Sequence, residues 1–303
     1  METIAEKIET YENMLRKSEI FDLNLWWDPV FREGFRTYDD WDKQWNEYTR
    51  FGLNQGLVTS AKASRYDALA GNAELAELLE DTGSSLELTA GLSNESSAEL
   101  SAGASARLAN GSSVRLSGCM VLTPDMFYKH NGETYIDELM SRGFIAARLF
   151  PATYMHSMKP FTIRRLLEAL EIRNLPLLLW HTQVSFEEMD RICEAHPGLN
   201  IIVEGHNMKL LYHARQYMPL LMQRRNFFLE THNLVLYREF ETINSLAGCG
   251  NLLYGSYFPY NTPHASLYPI FAAEIEDGRR DGILCGNARR LFCNSLTVNP
   301  EIK

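Results

Sequence analysis

From residue 142 onward, short apolar runs alternate with longer amphipathic ones. Residues 144–150, 175–180, 200–204, 226–230 and 251–254 have the length and composition of buried strands, while 162–173, 185–195, 209–223 and 234–246 carry apolar residues at helical spacing. Ser185 with Glu188 has the spacing of a capping box, and Asn174-Leu175-Pro176 and His196-Pro197-Gly198 supply stop signals before the next strand. Upstream, residues 20–26, 56–61 and 114–122 read as three further strands. Repeated strand–helix alternation predicts a parallel sheet covered by helices, and a count of eight selects a closed (β/α)8 barrel of the TIM type over an open, doubly wound sheet.

Two stretches modify that picture. Residues 1–17 place Ile4, Ile8, Tyr11 and Leu15 at helical spacing among charges, which predicts an amphipathic helix. Residues 82–113 are mostly Ser, Ala, Gly and Leu and are too long for a barrel connection, so they read as an insertion near the third strand of a single domain spanning 1–303. Alternation at Leu86, Leu88, Ala90 and Leu92 is compatible with a small hairpin, and a lid or a helix is equally compatible. Trp26, Trp27, Phe31, Phe35, Trp41 and Trp45 form an aromatic-rich segment, which either packs a loop over the barrel top or makes a homo-oligomer contact.

Composition narrows the function. With 45% hydrophobic and 22% charged residues the chain has ample core material. A net charge of −10 argues against neutralising nucleic-acid phosphates or anionic lipid, so a small molecule is the expected partner. No run is long and apolar enough to predict a membrane span. Five dispersed cysteines without a CxxC suggest reduced thiols and a cytoplasmic location. The P-loop, GxGxxG, HExxH and GxSxG patterns are absent.

Several segments fall in an order that resembles the amidohydrolase-related, metal-dependent hydrolase family. FDLNLWWDP (21–29) is similar to the family's opening strand, GFIAARLFP (143–151) to its fourth, LPLLLWH (175–181) to its fifth, and PGLNIIVEGHN (197–207) to its sixth. LLYGSYFPY (252–260) resembles its eighth strand, and GNARRLF (286–292) its closing helix. The resemblance implies a divalent ion held by first-strand histidines, the fifth- and sixth-strand histidines and an eighth-strand aspartate. This chain has Asn24 and Trp26 at the first-strand positions and Tyr257 in place of the aspartate. Neither indole nor a carboxamide reproduces a two-imidazole clamp, which puts the usual hydrolytic mechanism in doubt.

What remains at the predicted strand ends defines the candidate site. His181 and His206 match the family's fifth- and sixth-strand histidines, and with Tyr257 they are the candidate catalytic groups. Asn24, Trp26, Arg148, Glu230 and His232 are the candidate substrate-binding residues, with Arg148 as anchor for an anionic group. Lys62 and Arg65, just beyond the second strand, are weaker anchors. The expected site needs no cofactor; the alternative is a single divalent ion such as zinc on His181, His206 and Glu204. Two functions remain open: a hydrolase or lyase acting on a small anionic organic molecule, and a catalytically inactive barrel that binds a ligand or serves in assembly.

Overall fold

The computed structural model describes residues 3–29, 40–81, 104–107, 113–205 and 210–296. Its strands, in chain order, are β1 (Asp22–Trp27), β2 (Gln55–Ser60), β3 (Ala104–Arg107), β4 (Ser113–Val121), β5 (Phe144–Leu149), β6 (Leu177–Trp180), β7 (Ile201–Glu204), β8 (Phe227–Glu230) and β9 (Leu252–Leu253). Eight run parallel in the order β1-β2-β4-β5-β6-β7-β8-β9 with helices between them, as the alternation predicts. The seam closes where Leu23 N–H donates to Tyr254 O (2.9 Å) and Trp26 N–H to Phe258 O (2.9 Å). The result is a (β/α)8 barrel.

Local signals act where the sequence places them. Ser185 and Glu188 form the reciprocal capping box that starts helix Phe186–Ala195. The first helix, Ile4–Lys17, packs only part of the predicted stripe. Tyr11 meets His264 and Phe271 edge-on, whereas Ile4 and Ile8 lie exposed. Helix 234–246 begins later than its periodicity suggests, at Glu239, after Arg238 in a left-handed conformation.

Of the insertion, residues 104–107 form β3, antiparallel to the first half of β4, with Ala104 opposite Leu116 and Arg107 opposite Ser113. The alternating segment 86–92 lies outside the described residues, as do Phe31 and Phe35. Trp27 of β1 meets Trp41 of helix Trp41–Thr49 edge-on, Trp41 meets Trp45 in the same way, and all three are buried within the chain. Among the described residues no helix is long and apolar enough to cross a membrane.

Inward-facing side chains form two layers. The lower one is apolar: Leu57, Cys119, Leu178, Ile202 and Phe228 pack with Phe292 of the closing helix Asn287–Leu296. Two residues further along β2, β7 and β8 the interior becomes polar and charged, while β6 presents Trp180.

Candidate functional site

Period-two alternation carries the interior face from Leu57 to Thr59, from Leu178 to Trp180, from Ile202 to Glu204 and from Phe228 to Glu230, and places Arg148 beside them. Arg148, Glu204 and Glu230 are 0% exposed. Glu204 accepts two hydrogen bonds from the Arg148 guanidinium, one of them from Nε at 3.1 Å. Arg148 also donates to Thr59 Oγ1 and to Asn24 Oδ1 (3.1 Å), and its guanidinium carbon lies 4.7 Å from the centre of the Trp26 ring.

This geometry is that of an ionised pair, since a guanidinium has only donors to offer. Burial opposes the charge on Arg148, but Glu204 and then Glu230 outweigh it and hold Arg148 above its usual value. Burial likewise pushes the Glu204 carboxyl up; Arg148 opposes that shift and the charge of Glu230 adds to it.

Asn24 links this pair to a second one. Its Oδ1 also accepts the Trp26 indole N–H (2.8 Å), and its Nδ2 donates to Glu230 Oε2 (3.2 Å). Glu230 accepts the backbone N–H of His232 (2.7 Å) and contacts His232 Nδ1. Asn233 Nδ2 reaches His232 Nε2 at 2.8 Å. These contacts assign the proton to Nδ1 and make Nε2 the acceptor of the Asn233 amide, within a fully buried side chain. Gly255 makes the close packing feasible, because a Cβ there would stand 2.1 Å from Glu230 Oε1.

β1 does not keep strict alternation. Its pairing with β2 shifts register between Asp22 and Leu25, and this irregularity separates Asp22 from the face shared by Asn24 and Trp26. Asp22 instead accepts from Tyr48 OH (3.2 Å) and Ser256 N–H (2.9 Å). Burial raises its carboxyl to about 6, the charge of Glu230 assisting and the hydrogen bonds from Ser256 and Asn24 opposing.

Aromatic rings close the mouth. Trp26 packs against Phe150, Trp180, Tyr257 and Tyr260, and Tyr257 stacks on His232 with centroids 4.9 Å apart. Tyr257 holds φ +61°, a left-handed conformation that costs a non-glycine residue about 1–2 kcal/mol. Burial pushes its phenol far up, so it serves as a hydrogen-bond donor and not as a phenolate base. Outside it, Asp28 Oδ2 accepts from Arg65 (2.6 Å) and from Tyr260 OH (2.7 Å).

The sequence-predicted residues therefore divide. Asn24, Trp26, Arg148, Glu204, Glu230, His232 and Tyr257 meet in one cup. Arg148 is sealed by Glu204, so among the described residues Arg65, paired with Asp28, is the cation beside the aromatic mouth; Lys62 is paired on the surface with Glu74 (2.9 Å). His181 does not join the charged cluster. Trp180 holds the inward position, and His181, the next residue, bonds to backbone and not to the cluster's side chains: its Nδ1–H donates to Glu204 backbone O (3.0 Å) and the ring packs on Phe186 and His213. Burial lowers its pKa. His206 lies outside the described residues. Thr59, Trp180, Tyr260 and Asn233 escaped sequence reading, although strand parity would have found the first two.

A divalent ion does not fit the described donor set. Both oxygens of Glu204 sit in the Arg148 fork, a fixed cation occupies the centre of the cluster, and Asn24 is shared between Arg148 and Glu230. Among the described residues no three His, Cys, Asp or Glu side chains converge as metal ligands would.

No protein-family model matches the chain, and no curated protein is similar to it in sequence. Solved structures share its fold. A 2,6-dihydroxybenzoate decarboxylase from Rhizobium superposes with TM-score 0.62 at 15% identity, covering 91% of this chain and 99% of that one. A dihydroxybenzoic acid decarboxylase from Polaromonas, with bound manganese and 2-nitroresorcinol, gives TM-score 0.56 at 15% identity over 93% and 100%. Amidohydrolase 2 from Bifidobacterium longum subsp. infantis gives 0.56 at 16% over 91% and 99%. The chain thus shares the barrel fold of these structures.

Proposed function

We propose that the cup is the active site of a lyase or hydrolase acting on a small anionic organic molecule, with His232 as its acid–base group. The observation that carries this reading is the Glu230–His232 pair. A fully buried carboxylate fixes the imidazole through Nδ1 and the backbone N–H, and Nε2, held by the Asn233 amide, is the acid–base nitrogen a substrate would reach by displacing Asn233 at the C-terminal end of β8, the end where barrel enzymes place their chemistry.

The division of labour follows from the contacts. Glu230 orients His232 and favours a proton on Nδ1. Tyr257 lies flat on that ring and offers its phenol as a donor to a reacting oxygen. Arg148 supplies a fixed positive charge behind Trp26, and among the described residues Arg65 is the cation best placed to meet an incoming carboxylate. No step requires a metal ion. Two of the fold neighbours act on hydroxylated benzoic acids, which makes that class the first to test.

The test is carbon dioxide release from 2,6-dihydroxybenzoate and related carboxylated phenols, together with hydrolysis of lactones and amides. Each is assayed after chelation and again after zinc or manganese addition. Turnover that survives chelation, falls at least about 100-fold in His232→Gln and persists in His181→Ala is the expected result. Turnover that tracks added metal, or that ignores His232, overturns it.

A second reading, a non-catalytic ligand-binding or assembly barrel, is favoured by the 0% exposure of Arg148, Glu204 and Glu230 behind the aromatic mouth. Ligand-induced melting shifts without turnover would select it.

A further inference from the structure

The opposite face of the barrel carries a feature that the cup does not use. Two grooves meet there, of about 840 and 600 Å³, joined through Ser18, Glu19 and Arg289, which line both. They lie at the strand starts: Glu19 and Ile20 lead into β1, Asn54 and Gln55 open β2, and Cys249 and Gly250 precede β9. Arg16, Arg50 and Arg115 line one limb, Lys17, Arg279 and Arg290 the other, with Arg289 between. Among the described residues, seven cationic side chains thus line the trench with three carboxylates (Glu12, Glu19 and Asp281), on a chain whose net charge is −10.

Some of these cations have carboxylate neighbours. Arg16 pairs with Glu12 at 3.4 Å, Arg50 with Glu47 at 3.1 Å, and Arg289 with Glu19. Others spend their hydrogen bonds on neutral groups. Arg115 donates to Gln55 Oε1 (3.1 Å), and Arg290 donates to Gly250 O (2.6 Å) and Asn287 Oδ1 (3.2 Å), so these contacts leave the charge uncompensated. The excess acts on Glu19: burial would raise its carboxyl, yet Arg289, Gln55 and Arg115 together hold it below the usual value. Leu15, Ile20 and Phe51 add an apolar wall, which suits an organic ligand over a bare inorganic ion.

We propose that this trench is a second ligand site, for a small organic molecule bearing at least two anionic groups, phosphate or carboxylate, that bridge the two limbs across Arg289. Guanidinium forks bind both groups bidentately, and an excess of positive charge concentrated in a concave surface attracts such ligands against the overall acidity of the chain. The two groove volumes lie within the usual range for small-molecule sites. The site is separate from the cup, so its occupancy does not depend on the chemistry proposed there.

The experiment measures thermal shifts and calorimetric titrations of the full chain with fructose 1,6-bisphosphate and with citrate, against sodium sulfate at matched ionic strength. Saturable binding of one probe per chain is expected, weakened at least about tenfold in Arg50→Ala and further in Arg16→Ala/Arg50→Ala/Arg115→Ala. A preference for bisphosphate or for citrate identifies the anionic group. His232→Gln should bind as the parent does, which keeps this outcome distinct from any failure of the cup to turn over substrate. Binding of neither probe, a shift no larger than that given by sulfate, or affinity unchanged in both Arg50→Ala and the triple variant would overturn the proposal.

Discussion

The two ends of the barrel use the same residue type in opposite ways. In the cup, Arg148 is 0% exposed, its fork tied to Glu204 and its remaining donors to Thr59 and Asn24. In the trench the Arg50 side chain is 75% exposed and bonds to one surface glutamate. Removing a charge from water costs several kcal/mol unless a partner of good geometry offsets it, so the cup cation exists only together with its carboxylate. The trench cations keep their hydration and can exchange it for a ligand. A buried arginine therefore acts here as a fixed structural charge, while exposed ones remain available for binding.

Replacing Arg148 sharpens this contrast most. Arg148→Met leaves Glu204 and Glu230 buried with less compensation and should cost about 3–5 kcal/mol in denaturant unfolding. Arg148→Met/Glu204→Gln should recover part of that loss. If the single variant were as stable as the parent, the cup charge would not be held as described.

Asp22 offers a pH-dependent measure of the same burial. Its carboxyl is raised to about 6 from 3.8, so the folded protein keeps a proton that the unfolded chain has released. Where the native state binds more protons, stability falls as pH rises. Asp22 should therefore remove about 3 kcal/mol between roughly pH 4 and 6, with little further change above. Asp22→Asn should abolish that part of the pH slope; an unchanged slope would contradict the burial of this group.

Gly255→Ala drives a methyl into Glu230 Oε1 and should cost about 1–3 kcal/mol, shifting or splaying the Glu230–His232 pair. Its effect on any turnover should exceed its effect on stability, and the ratio is read from kcat and Tm in parallel. At the small end, Arg50→Ala should change stability by less than about 0.5 kcal/mol while weakening trench ligands. A large loss of stability there would mean that the trench cations are structural after all, and the comparison would fail.

The sequence by itself determined the barrel, because strand–helix alternation is a local, periodic signal and each capping box or stop dipeptide acts over a few residues. It also determined most members of the cup: Arg148 and Glu230 lie near strand ends, where period-two alternation points them inward, and Asn24, Trp26 and Tyr257 fall at positions the segment order singles out. Tertiary structure decided the rest. The irregularity in β1 set Asp22 apart from Asn24, and the choice of Trp180 as the inward residue left His181 bonded to backbone and not to the cluster's side chains. Strand partners distant in the chain joined Arg148 to Glu204 across 56 positions and Asn24 to Glu230 across 206. Which charge neutralises which depends on strand register and burial depth, and neither is encoded in a short stretch of residues. The basic trench has the same origin: its cations come from the first helix, the end of helix Trp41–Thr49, the start of β4 and the last helices, and only closure of the barrel gathers them.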